Sequence, residues 1–160
     1  SRNIGASATP KYLRQEALVF FDDDVYCCEG WDARLAKVLG DSSCAASGHA
    51  HPYNHTIVGE CAGGLLTTVL STVNIACKWP MWDDVGFFAE PGGPGGSEDV
   101  DWCRRASVKD YDLAVTEPQV CLHTGIGSTW GRRLIGCDSV MANNNYLEKL
   151  HGIQGKVIYG

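Results

Sequence analysis

Three consecutive aspartates, Asp22, Asp23 and Asp24, directly follow an apolar run at residues 17–21. Side chains alternate along an extended chain, so Asp22 and Asp24 should point to one side and Asp23 to the other. In open α/β sheets, ligands gather at the carboxyl ends of strands, where these acids would lie. Paired carboxylates there suit Mg²⁺ or Mn²⁺, with phosphate oxygens as further ligands. The pattern predicts a divalent-cation site, and a solvated junction between strand and loop is the alternative.

A second acidic group, Glu98 and Asp99, follows the glycine-rich segment 91–96 at the start of a predicted helix. A carboxylate aimed into a cleft could take a proton from an attacking hydroxyl, which makes Asp99 a candidate general base. Acids also favour the first turn of a helix without any catalytic role, because they complement the helix dipole. Both interpretations are open at this point.

His123 ends an apolar segment and is followed by Thr124-Gly125. A histidine in this position is usually a hydrogen-bonded structural residue. With Asp24 it could instead complete a site of one nitrogen and several oxygens, which suits Mn²⁺ better than Mg²⁺. The spacing of His49, His51 and His55 is compatible with zinc, but their Gly/Ser-rich surroundings supply no cysteine or acid, so zinc is disfavoured there.

The elements that must position these residues alternate between strands and helices. Apolar segments predict strands at 17–21, 73–77, 113–116 and 119–122, and the first should be buried on both faces, as in a parallel sheet. Helical spacing and capping residues predict helices at 31–39, 80–85, 97–106 and about 138–150, the third with Ser97 as its N-cap. Segments 40–60, 91–96 and 124–136 are predicted to be irregular. The alternation predicts an α/β fold in a single domain spanning residues 1–160.

Composition excludes several classes of protein. The chain has 160 residues and a net charge of −6, which argues against nucleic acid as a partner because binding to phosphates needs a basic surface. None of the eight cysteines forms a C-x-x-C pair, and Cys77, Cys103 and Cys121 lie in apolar segments. Reduced, buried cysteines are favoured over a disulfide framework. The start of the chain lacks the apolar segment of a secretory signal, and the uncharged segment 61–77 is too polar to span a membrane. We expect a cytoplasmic location, with membrane association as the alternative.

Five segments, in this order, resemble the inverting glycosyltransferases of the GT-A type, closest to the large family two. They are residues 1–5 (SRNIG), 19–24 (VFFDDD) with Gly30-Trp31, 85–90 (VGFFAE), 97–105 (SEDVDWCRR) and 121–125 (CLHTG). In the family, the last four of these segments correspond to the D-x-D strand, the acceptor-side glycine segment, the E-D-x-D helix and the strand-end histidine. The resemblance covers about residues 1 to 125.

The resemblance implies a partial GT-A, Rossmann-like fold with a mixed, mostly parallel sheet flanked by helices. It implies transfer of a sugar from a nucleotide-diphosphate donor to a hydroxyl acceptor, assisted by Mn²⁺ or Mg²⁺. The implied site residues are Asp99 as general base; Asp22, Asp24 and His123 at the metal; and Arg2, Asp22, Arg132 and Arg133 at the donor.

The chain departs from the family before the D-x-D strand. In the family a βαβ half with the nucleotide-base site precedes that strand, whereas 16 residues precede Ala17 here. Segment 40–64 also differs, and Ala89 stands where the family commonly has Asp. The alternative is therefore a non-catalytic remnant of the fold that binds carbohydrate or mediates oligomerisation; a metal-dependent phosphohydrolase is less favoured. Strand edges left exposed by the missing half predict a homo-oligomer.

Overall fold

A computed structural model describes residues 2–10, 16–22, 25–40, 43–49, 56–89 and 98–123. The helices in these ranges are α1 (Arg2–Ala8), α2 (Trp31–Leu39), α3 (Trp79–Val85) and α4 (Glu98–Val108). The strands are β1 (Ala17–Phe21), β2 (Val25–Cys27), β3 (Cys44–Ser47), β4 (Ile57–Cys61), β5 (Gly64–Thr67), β6 (Asn74–Lys78), β7 (Asp112–Thr116) and β8 (Cys121–His123).

Six of these strands form a mixed sheet in the order β1-β6-β3-β7-β5-β4. The α/β class and the mixed sheet flanked by helices are confirmed. The expectation of a mostly parallel sheet is wrong, because β3 and β7 form the one parallel pair among the described strands. The short turn between β4 and β5 forces these two strands to pair antiparallel, whereas the other antiparallel pairs of this sheet join strands that are not consecutive in the chain. A separate ribbon consists of β2 and β8, paired antiparallel.

The sheet carries an apolar core on each face. On one face, Ile75 and Cys77 of β6 pack with the aromatic residues of α3 and α4. On the other face, α2 packs on alanines of three neighbouring strands, Ala46, Ala76 and Ala114, which are directly opposite each other in register. Because alanine has so small a side chain, this row lets the helix approach the sheet closely.

Strand β1 forms where the apolar run predicted it, but its burial differs from the prediction. Among the described residues it pairs with β6 alone and so forms one edge of the sheet. Phe20 is buried, whereas Val19 and Phe21 are each 37% exposed. The expectation of burial on both faces is wrong, since an edge strand lacks the second neighbour that would complete its cover.

Helix α2 is confirmed at its predicted bounds, and α3, α4, β6 and β7 lie within two residues of theirs. Segment 40–60 was predicted to be irregular, yet it holds β3, a fully buried strand inside the sheet, and most of β4. The Cys-Ala-Ala-Ser composition of β3 carries no β-branched or aromatic residue, so local propensity gave no signal of a strand. The predicted glycine-rich loops, Ser97 and the helix at 138–150 lie outside the described residues. No helix within the described ranges is long and apolar enough to cross a membrane.

Candidate functional site

The candidate site is organised around the turn formed by residues 71–74, between β5 and β6. The backbone N–H of Asp22 donates a hydrogen bond to the Val73 carbonyl at 3.0 Å. The turn is closed by the Asn74 N–H, which donates to the Ser71 carbonyl at 3.3 Å. The first aspartate of the cluster is therefore held at the carboxyl end of β1, directly against this turn.

Asp99 contacts the same turn from helix α4. Its carboxylate accepts hydrogen bonds from the backbone N–H of Thr72 and, at 2.8 Å, from that of Val100. The Thr72 hydroxyl donates to Glu98 Oε1 at 3.4 Å. The 71–74 turn thus connects Asp22 and Asp99, two residues that lie far apart in the sequence.

The environment of Asp99 differs from that of an ordinary capping acid. Its side chain is buried, and this desolvation, together with the charge of Glu98, raises the pKa of Asp99 to about 7. The hydrogen bonds from Thr72 and Val100 act in the opposite direction and offset only part of the effect. A carboxyl group with this pKa is near the optimum for a general base at neutral pH.

Two buried residues, Asn74 and Gly48, connect the 71–74 turn to neighbouring strands, and neither was predicted from the sequence. The fully buried Asn74 side chain accepts a hydrogen bond from the Gly48 N–H at 2.7 Å and donates to the Phe20 carbonyl at 3.3 Å. A Cβ atom at Gly48 would lie 2.6 Å from Asn74 Oδ1 and 2.5 Å from Val120 Cγ2, so the position requires glycine. Asn74 could have been noticed in the sequence as a polar residue within the apolar segment 73–77. Nothing in the sequence indicated a role for Gly48.

The ribbon of β2 and β8 brings two of the predicted metal-site segments together. His123 is the register partner of Val25, the residue that follows Asp24. The ribbon is attached to the main sheet through the Val120 N–H, which donates to the Gly48 carbonyl at 3.0 Å. The backbone of His123 therefore lies beside Val25, the first described residue after the aspartate cluster, although nothing in the sequence spacing of the two segments required it.

Several predicted site residues are not described. Asp23, Asp24, Arg132 and Arg133 lie outside the described residues, as do the side chains of Arg2 and His123 and two members of the zinc-compatible group, His51 and His55. Asp22 is thus the one predicted metal ligand with a described side chain, and it is half-buried. Within the described ranges, no three His, Cys, Asp or Glu side chains come together in a way that could hold a metal ion.

Helix α4 is held in place by hydrogen bonds that the side chains of Trp102 and Arg105 donate to residues 85–87. Arg105 Nε donates to Asp101 Oδ2 at 2.9 Å, and its terminal nitrogens donate to the carbonyls of Val85 and Phe87. The Trp102 indole N–H donates to the Gly86 carbonyl at 3.0 Å. Asp101 is almost fully buried and forms an ion pair with Arg105, whereas Asp99 lies against the 71–74 turn.

The described part of the site therefore offers a buried carboxyl group with a pKa of about 7, and a second acidic residue whose backbone contacts the same turn at the end of a strand. Comparison of the sequence with models of known protein families, and with curated proteins, finds no match.

Proposed function

We propose that this chain is a metal-dependent, inverting sugar transferase of the GT-A type, or the catalytic and acceptor half of one. The observation that supports the proposal best is the convergence of Asp22 and Asp99 on the 71–74 turn, with the pKa of Asp99 raised to about 7. The mixed α/β sheet flanked by helices is compatible with a partial GT-A fold.

In this proposal Asp99 is the general base. Its ionised carboxylate takes the proton of the acceptor hydroxyl as that oxygen attacks the anomeric carbon of the donor sugar. The bond from that carbon to the nucleotide diphosphate breaks on the opposite side, so one displacement inverts the anomeric configuration. The 71–74 turn keeps the carboxylate in place by the Thr72 N–H bond, which favours the ionised form that the reaction needs.

The residues present fit a divalent cation by their chemistry. The carboxylates of Asp22 and Asp24 with the imidazole of His123 would give a mixed oxygen and nitrogen donor set, which suits Mn²⁺. The pairing of His123 with Val25 supports this set, because it places the histidine backbone beside the residue that follows Asp24. When bound, the ion would act as a Lewis acid that neutralises negative charge on the departing diphosphate.

The remaining donor contacts are assigned to basic residues. Arg132 and Arg133 would bind the phosphate oxygens, and Arg2 would contribute to the donor site. Arginine suits this role because its planar guanidinium group can donate two parallel hydrogen bonds to phosphate. Asp22 would also lie near the ribose or the sugar of the donor.

A second candidate function is a non-catalytic, carbohydrate-binding or oligomerisation module. The feature that favours it is a groove of about 560 Å³ between strand β1 and helix α2. Its apolar lining includes Ala17, Val19, Trp31, Leu35, Leu39 and Pro80. An open strand edge beside an apolar groove is a surface on which another chain could pair.

Titration calorimetry with Mn²⁺ and a panel of nucleotide-diphosphate sugars separates the two candidates. We expect Asp24→Ala to abolish metal-dependent binding of the donor. Asp99→Asn should keep that binding and lose transfer to a hydroxyl acceptor. Glu60→Ala, at an exposed position of β4, is the control and should change neither. Mn²⁺ affinity that is unchanged in Asp24→Ala would remove the metal site from the end of β1, and absence of any donor binding in the parent would favour the non-catalytic module.

A further inference from the structure

Three cysteines lie together on the ribbon that carries His123. Cys27 of β2 and Cys121 of β8 are register partners, and Cys28 follows directly after Cys27. Cys27 and Cys28 are exposed, whereas Cys121 is buried. In the sequence, Cys27 and Cys28 are adjacent and Cys121 lies far from both.

The hydrogen bonds of the ribbon define the geometry of the Cys27–Cys121 pair. The Cys28 N–H donates to the Val120 carbonyl at 2.8 Å, so Cys28 and Val120 form a hydrogen-bonded position of the ladder. Such positions alternate with non-hydrogen-bonded ones, and Cys27 and Cys121 therefore occupy a non-hydrogen-bonded position. Opposing residues there have their Cα atoms about 4.5 Å apart and their side chains on the same face. This separation falls at the short end of the range of about 4.4–6.8 Å that a disulfide can bridge.

The electrostatics of the thiols agree with this closeness. Burial raises the pKa of the Cys121 thiol to about 12, and the neighbouring Cys27 and Cys28 add to the increase. Burial and the adjacent Cys28 also raise the pKa of Cys27. Binding of a soft metal ion is not favoured, since no group of three such ligands in the described ranges has the arrangement that a metal needs.

We propose that Cys27 and Cys121 are an oxidisable thiol pair, which a low-molecular-weight disulfide such as glutathione disulfide converts into a cross-strand disulfide. This inference does not depend on the proposed sugar transfer. The pair lies one register step from Leu122 and two from His123, so the disulfide would fix the β2–β8 ribbon covalently at its base.

The reaction proceeds in two exchanges. The thiolate of exposed Cys27 attacks one sulfur of glutathione disulfide, forms a mixed disulfide and releases one glutathione thiolate, which takes up a proton from solvent. Cys121 then attacks the Cys27 sulfur, its proton passes to solvent or to the leaving thiolate, and the second glutathione departs. Two electrons pass from the protein thiols to the reagent, so one glutathione disulfide yields one protein disulfide and two glutathione thiols. Only Cys27 has to be accessible, because the second step is intramolecular.

Peptide mapping after oxidation tests the proposal. The full chain is incubated with glutathione disulfide, its remaining thiols are alkylated, and it is digested with trypsin. We expect a cross-link between peptides 15–34 and 110–132, which reducing agent removes. Because the first peptide holds both Cys27 and Cys28, variants must assign the bond: Cys28→Ser should keep the cross-link, and Cys27→Ser should lose it.

Other products would overturn the proposal. These are a cross-link that persists in Cys27→Ser, a Cys27–Cys28 disulfide within one peptide, or a glutathione adduct on Cys27 that never resolves. The exposed Cys27 and Cys28 are chosen for substitution because changes there leave the core intact. As a second measurement, oxidised parent should unfold at a higher urea concentration than reduced parent, since the new bond closes a long loop in the unfolded chain. No such increase is expected in Cys27→Ser.

Discussion

At the scale of single residues, Asp99 is a carboxyl group whose pKa lies well above that of a free side chain. Its pKa of about 7, against an ordinary value of 3.8, results first from burial and then from the charge of Glu98. A helix N-terminus alone would have lowered this pKa. Burial behind the 71–74 turn therefore outweighs the helix dipole at this position.

The titration of Asp99 predicts how stability depends on pH. The unfolded chain loses this proton near pH 3.8 and the folded chain near pH 7, so the folded state is progressively disfavoured between these values. Asp99→Asn removes this cost, and its stability relative to the parent should rise by roughly 2–4 kcal/mol from pH 4 to pH 8. Urea denaturation at both pH values measures the difference. Parallel stability curves for parent and variant would contradict the raised pKa.

Glu98 provides a second test at this scale. Glu98→Gln removes a negative charge beside Asp99 and should lower the pKa of Asp99, although burial would still hold it above the ordinary value. NMR titration of the carboxyl carbons reports this change directly. Glu60→Gln, at an exposed position of β4, is the matched control. An unchanged Asp99 titration in Glu98→Gln would show that the charge of Glu98 has no effect there.

Gly48 gives a prediction that depends on packing. A methyl group at this position would overlap Val120 and the Asn74 amide, so Gly48→Ala should destabilise the protein by about 1–3 kcal/mol. Gly5→Ala in helix α1 is the control, because nothing lies within 4 Å of a Cβ atom placed at Gly5. Thermal or urea unfolding of the two variants compares them. Equal stability in both would mean that the junction of β3 with the ribbon is looser than the structure shows.

At the scale of elements, the orientation of α4 depends on the contacts that Asp101 and Arg105 make. Arg105, which is paired with Asp101 of the same helix, connects α4 to the end of α3 and to the chain that follows it, through the carbonyls of Val85 and Phe87. Because α4 also carries Asp99, loss of these contacts would disturb the candidate base from a distance.

Removing one partner of this pair should have a large effect. Asp101→Ala leaves the guanidinium of Arg105 without its carboxylate, and we expect a loss of about 3 kcal/mol in the free energy of unfolding. Asp84→Ala is the comparison, since the exposed pair of Asp84 with Lys109 should contribute little. Denaturant unfolding of both variants at neutral pH is the measurement. A similar small loss in both would contradict the structural role of Asp101.

At the scale of the whole molecule, the outer edge of β1 has no partner strand among the described residues, and it adjoins the apolar groove against α2. Edge strands usually resist pairing because they carry charged residues or proline, and Ala17–Phe21 carries neither. The homo-oligomer expected from the sequence therefore remains a prediction, with this edge as its candidate interface.

Val19→Lys tests this interface. A charge at an exposed position of the edge strand should weaken self-association without disturbing the buried Phe20. Sedimentation velocity over a range of concentrations would then show a shift of the variant towards the monomer. Val58→Lys, on the opposite edge strand β4 and also exposed, is the matched control. A monomeric parent at all concentrations would contradict the prediction.

Local features of the sequence were enough to predict part of the fold. The spacing of Leu35, Val38 and Leu39 predicted α2 at its observed bounds, because helical periodicity is a property of neighbouring residues. The apolar run of β1 and the aspartates after it were likewise visible without any tertiary contact.

Contacts between residues far apart in the chain determined the strand order, the burial of the strands and the geometry of the candidate site. The tertiary structure made Cys44–Ser47 an inner strand, made β1 an edge and paired most strands antiparallel, because pairing and burial depend on residues far apart in the chain. The joining of Asp22 and Asp99 across the 71–74 turn has the same origin. The amino-acid types determined which groups could do chemistry, and the raised pKa of Asp99 arose only when folding removed it from water.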